Sequence, residues 1–106
     1  MNGDILMEIA LDTDQVQLLV AVEQRRVHMD PRYTRPDFER DPGPPVALKR
    51  ATQRLQPLKR MHLVELVDET EADRYGVRLY KLTERGQQVL TQVRDMEATA
   101  RAEAGA

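Results

Sequence analysis

The sequence predicts one α+β domain that is mainly helical, on three observations. Apolar residues recur at helical spacing after a capping pair at Asp12 and Gln15, and again with a polar opposite face between Val46 and Arg60. Two β-prone runs joined by turn residues then lead into a last helix. At 106 residues the chain suits a single domain, 1–106, with a core spanning about 12–90 and a C-terminal helix over about 84–102.

The first helix runs from Asp12 to about His28, with Val16, Leu19, Val20 and Val27 on one face and Leu18 and Val22 on a second. Its apolar surface is therefore wide enough for two contacts. Before it, residues 5–11 (ILMEIAL) fit a short strand or a helical turn equally well. Residues 30–45 hold five of the six prolines, so a loop-rich connection is expected there, with PDFER as the one candidate for a short helix.

From Val46 to about Arg60, Leu48, Ala51, Leu55 and Leu58 are spaced three, four and three apart, which predicts the clearest helix of the chain. Its opposite face carries Lys49, Gln53, Gln56 and Arg60, flanked by Arg50 and Arg54. Pro57 bends or restarts this helix. Residues 62–69 and 77–83 form a hairpin around the acidic turn TEADRYG. The last helix begins at Thr83 or Glu84 and carries a narrow seam of Val89, Val93, Met96 and Ala100.

Charge is distributed unevenly. Residues 1–31 carry two basic and six acidic residues, 32–60 eight and three, and 61–106 six and nine, which sums to the net −2. Positive charge thus gathers in the middle of the chain, where six outer or flanking positions between 49 and 60 are basic or amide and none is acidic. With no cysteine, a disulfide scaffold, a thiolate zinc site and a cysteine nucleophile are excluded. His28 and His62 lack partners at ligand spacing, and no glycine-rich phosphate loop or nucleophile–base arrangement is present, so no metal, no cofactor and no enzyme activity are expected. Neither a membrane span nor a leader is read, which leads us to expect a soluble cytoplasmic protein. Of the aromatic residues, Tyr80 and Phe38 are expected in the core.

Two stretches resemble a known family. RLQPLKRMHLVELV (54–67) is similar to the end of a recognition helix running into a first wing strand, and DRYGVRLYKLTERGQQVL (73–90) resembles a second wing strand and the helix after it. Together they look like the winged helix-turn-helix domain of small bacterial transcription regulators of the MarR, PadR and ArsR kind, over about residues 46–90. The resemblance implies a two-stranded β-hairpin wing and a C-terminal helix. Gly86 then marks a close crossing of that helix against the recognition-helix layer, and Thr83 caps it. Where the family has a glycine before the first wing strand this chain has His62, which needs a left-handed backbone or another turn geometry.

What the resemblance implies for function is sequence-specific binding of double-stranded DNA by a small transcriptional regulator, a repressor acting by operator occupancy. Lys49, Arg50 and Gln53 would lie at or near base edges in the major groove, Arg54 and Arg60 at phosphates. At the wing tip Arg74 and Arg78 are the candidates for the minor groove, Arg74 being equally suited to an ion pair within the hairpin. Leu18, Val22, Val89, Val93 and Met96 would pack either within one chain or across the two-fold axis of a homodimer. Two other functions fit the same residues: protein–protein interaction through the acidic wing, or DNA binding in plasmid or phage replication, partition or transfer.

Overall fold

The computed structural model describes residues 11–105. Asp12 opens the first helix as the sequence predicts. Its carboxylate accepts from the Gln15 amide while the Gln15 side chain accepts from the Asp12 amide, a reciprocal cap on α1, Thr13–Glu23. The helix ends earlier than its periodicity suggests, because Arg25 takes a positive φ of 61° and turns the chain into β1, Val27–Met29. Val27, expected on the helix, is instead fully buried in a strand.

The proline-rich connection does not stay a loop. Asp37–Arg40, the heart of the PDFER candidate helix, forms β2 and pairs antiparallel with β1. Leu48–Arg50 forms β3 on the other side of β2, so the helix expected from Val46 begins only at Thr52. That helix, α2, spans Thr52–Arg60 and buries Leu55 and Leu58. Leu48, the first member of the apolar period, is 57% exposed and takes no part in the core.

After α2 the chain turns at His62, whose φ of 59° is the left-handed backbone expected in place of a glycine. β4 (Val64–Leu66) and β5 (Arg78–Leu82) form the expected hairpin, joined by a turn that includes a short 3-10 helix, Glu69–Glu71. The last helix, α3, is Glu84–Ala104, capped by Thr83, whose hydroxyl accepts from the Gly86 amide and donates to the His62 carbonyl at 2.6 Å.

The strands assemble in the order β3-β2-β1-β5-β4. The expected mainly helical winged helix-turn-helix is corrected by this arrangement. Among the described residues there are three α-helices and a five-stranded antiparallel sheet, more strands than a two-stranded wing supplies. Between α1 and α2, moreover, lie three strands where a helix-turn-helix has its second helix.

One face of the sheet meets the helices. Val27, Val64, Tyr80 and Leu82 join Leu18, Leu19, Leu55, Leu58, Leu63, Val89 and Leu90 in a single buried cluster. The close crossing at Gly86 is real: a Cβ there would lie 2.0 Å from the carbonyl oxygen of Leu63, between α2 and β4. Of the stretch 5–11, whose strand or helix form the sequence leaves open, Leu11 alone belongs to the described residues and packs against the core. Among the described residues no helix is long and apolar enough to cross a membrane.

Candidate nucleic-acid interface

Of the eight basic residues in the middle of the chain, Lys49, Arg50, Arg54, Lys59 and Arg60 fall on β3 and α2, and the two elements present them differently. In α2, Leu55 and Leu58 are buried, so Gln53, Gln56 and Arg60, spaced three and four apart, lie on the exposed side with Lys59 beside them. Lys49 and Arg50 lie just before the helix, on the exposed edge strand β3 rather than on its first turn. Lys49 is half-exposed and pairs with Asp41 at 3.4 Å. Arg50 lies opposite Phe38 of β2 and makes no ion pair among the described residues. Arg60, in the last turn, likewise has no acidic partner among them.

Arg54 and Arg78 are placed otherwise than expected. Arg54 donates to Glu39 Oε1 at 2.7 Å and to the carbonyl of Arg50 at 2.8 Å. Glu39, nearly buried, also receives Arg26 at 3.3 Å. A carboxylate in that position needs its cationic partners, so Arg54 is held as a structural tie between α2 and β2. Arg78 folds back along the hairpin, its Nε donating to the Val67 carbonyl at 3.0 Å and its Nη2 to the same oxygen. It braces the β4–β5 turn from within. Each guanidinium spends two of its five donors on those bonds, which fix its orientation, and Arg54 stays partly exposed with donors left over.

Arg74 is exposed at the tip of that turn, with its guanidinium 4.8 Å from the ring centroid of Tyr75. It makes no ion pair within the hairpin. Its neighbour across space is the β1–β2 connection, where Arg32 stacks over the same ring at 4.4 Å. Arg32 is fixed by two bonds to Asp30, Nε to Oδ1 at 2.9 Å and Nη2 to Oδ2 at 2.7 Å. The Arg32 bonds hold the Asp30 carboxyl below its ordinary range. Asp73 accepts from the amides of Tyr75 and Val77, which shapes the tip.

The candidate dimer residues divide. Leu18, Val22 and Val89 are buried in the core of the single chain, Val93 packs against that core, and Met96 is 62% exposed further along α3. The end of α1 is tied to α3 by Glu23 and Arg94, a two-bonded pair at 2.7 and 3.0 Å. The Arg94 bond holds the Glu23 carboxyl below its ordinary range. Beside it a groove of about 830 Å³ runs between β5, the β4–β5 turn and α3. Its charged lining mixes Arg25, Lys81 and Arg94 with Glu23, Glu71 and Asp73, which gives it no preference for one sign of ligand.

Sequence reasoning missed the other face of the sheet. Arg50, Phe38, His28 and Leu79 are successive cross-strand partners on β3, β2, β1 and β5, so they form one row. Phe38, expected in the core, belongs to this outer row and stacks on His28 with centroids 5.6 Å apart. Tyr33, half-exposed, meets Phe38 edge-on at 5.2 Å. The period-two alternation in DFER was the one available signal, and four residues are too few to separate it from a helical turn.

Comparison with protein-family models, with curated proteins and with solved structures finds no match to this chain.

Proposed function

We propose that this chain binds double-stranded DNA in a sequence-dependent manner and acts as a small cytoplasmic regulator of transcription, most simply a repressor that occupies its operator. One observation carries the proposal: every exposed charged or amide side chain from Lys49 to Arg60 is basic or neutral, and on α2 Gln53, Gln56 and Arg60 share one side of the helix. Two turns and a half of helix fit the major groove, where arginine reads guanine and glutamine reads adenine. Gln53 and Gln56 are the base-reading candidates, Arg50 and Arg60 flank them toward the phosphates, and Lys59 adds charge. Lys49 would exchange Asp41 for a phosphate. A second copy, meeting the first through the exposed part of α3 around Met96, would double the contact surface that one such module provides.

The test is duplex binding across a salt series. Phosphate contacts by Arg50, Arg60 and Lys59 make affinity fall steeply with salt, and each contact removed lowers the slope by about one. A folded protein that retains no duplex at low salt would overturn the proposal. The acidic β4–β5 turn favours the second function, protein binding: Glu69 and Glu71 are exposed there and make no ion pair among the described residues. A partner with a basic surface, captured in the absence of any duplex binding, would establish that function instead.

A further inference from the structure

The geometry points to a second nucleic-acid surface, independent of α2: we propose that the outer face of the sheet, with the two loops at its end, holds a single unpaired strand of nucleic acid. The path starts at the tip of the β4–β5 turn, where Tyr75 is half-exposed and carries guanidinium groups at 4.4 and 4.8 Å from its ring centroid. It continues through Arg32 to its chain neighbour Tyr33, which is 52% exposed. Tyr33 leans on Phe38, and Phe38 faces Arg50 across the β2–β3 ladder.

Aromatic rings and guanidinium groups therefore lie together along one route. An unpaired strand offers the matching chemistry, flat bases that stack on rings or on the guanidinium planes over Tyr75, and one negative charge per nucleotide. Duplex DNA keeps its bases stacked inside and does not use exposed rings in this way, which distinguishes the occupant from that of α2. Apolar burial does not account for Tyr33 and Tyr75: each exposes about half its surface while the core of this aromatic-poor chain takes only Tyr80.

The route offers unpaired cations to a polyanion, against the exposed Glu69 and Glu71 of the same β4–β5 turn, which also make no ion pair among the described residues. Arg50 and Arg74 make no ion pair among the described residues, and Asp30, in the β1–β2 connection, is spent on Arg32. Asp73, next to Arg74, has its Oδ1 engaged by two amides of the turn. The loops are also built before any ligand arrives. The Asp30 amide donates to the Pro36 carbonyl at 2.8 Å, closing the β1–β2 connection, and Arg32 is locked by its carboxylate. The connection and Arg32 thus have little ordering entropy to lose on binding.

The experiment is fluorescence anisotropy of the full chain with a labelled oligothymidine of about ten nucleotides and with the matching oligouridine, each against a hairpin duplex competitor. The expected result is binding of an unpaired strand that Tyr33→Ala and Tyr75→Ala each weaken roughly five- to 150-fold, while Tyr33→Phe and Tyr75→Phe keep it. Gln53→Ala, which touches only the α2 surface, leaves it unchanged. Preference for the deoxy or the ribo arm identifies the strand as DNA or RNA. Circular dichroism melts of the variants separate lost binding from lost folding, and because both rings are exposed the fold is expected to survive. No binding of either strand by the folded protein, binding unaffected by either alanine variant, or loss in the phenylalanine variants would overturn the proposal. Duplex selection by α2 is measured separately, so either surface can fail alone.

Discussion

Gly86 sits in the first turn of a helix, where a glycine costs roughly 1 kcal/mol against alanine. That cost is outweighed because a Cβ would meet the Leu63 carbonyl oxygen at 2.0 Å, and the oxygen cannot retreat while it accepts from the Thr83 amide at 3.0 Å. Gly86→Ala should therefore destabilise the domain by at least about 2 kcal/mol, in spite of alanine's better propensity. Unchanged thermal unfolding would remove the close crossing. A second residue-scale test lies at Tyr80, whose hydroxyl donates to buried Asp37 at 2.6 Å. Tyr80→Phe strands that carboxylate oxygen and should cost about 1–3 kcal/mol, measured by denaturant unfolding. Burial first, and then the hydrogen bond to Asp37, push the Tyr80 pKa up from 10.0. Its neutral form is the one the fold favours, so the stabilisation is complete below pH 10.0 and is lost as pH rises beyond it; Tyr80→Phe should flatten that alkaline decline.

At the scale of elements, what was legible depended on whether an element is encoded locally. The cap at Asp12, the cap at Thr83 and the hairpin of β4 and β5 could be read because their signals lie within a few residues. β3 could not. Its period of Leu48, Ala51, Leu55 and Leu58 imitates one helix, and only the pairing of Leu48 with Arg40 and of Arg50 with Phe38 pulls the first of these residues into a strand. The same pairing moves Lys49 and Arg50 off the helix while keeping them beside its first turn, so that part of the candidate surface survived an error in the element that carries it. Arg54 and Arg78 were misplaced for another reason. Their partners, Glu39 and the Val67 carbonyl, are fifteen and eleven residues away, and spacing along the chain is silent about them.

The sheet also predicts a pH response. His28 stands between Phe38 and Leu79, and burial lowers its pKa from 6.5, with Asp30 opposing and Arg40 adding to the shift. The fold thus favours the neutral ring, and the unfolded chain takes up a proton first as pH falls below 6.5. Other groups facing the site set the same direction or oppose it: Asp37 and Asp73 favour the charged ring. The expected outcome is a drop in thermal midpoint between neutral pH and about pH 5 that His28→Phe abolishes; an identical drop in the variant would assign it to the carboxylates instead.

At the scale of the molecule, the five strands and three α-helices of the described residues bury one core and leave two surfaces of differing chemistry, a basic and amide helix side and an aromatic and basic sheet face. The first is encoded within one stretch of chain, whereas the second is made of cross-strand partners far apart in sequence. Arg50 joins the two, since it lies on the sheet face and is separated from α2 only by its N-cap, Ala51. Arg50→Ala should accordingly weaken both duplex and unpaired-strand binding, whereas Gln53→Ala should relax duplex sequence preference by about 1–3 kcal/mol at one base pair and leave the unpaired strand alone. The most direct test of the central claim is selection of bound duplexes from a random pool at moderate salt, run in parallel with wild type and Gln53→Ala. The account predicts a recovered site, a palindrome if two copies bind, with one position relaxed in the variant; a folded wild-type protein that recovers no preferred duplex would contradict it.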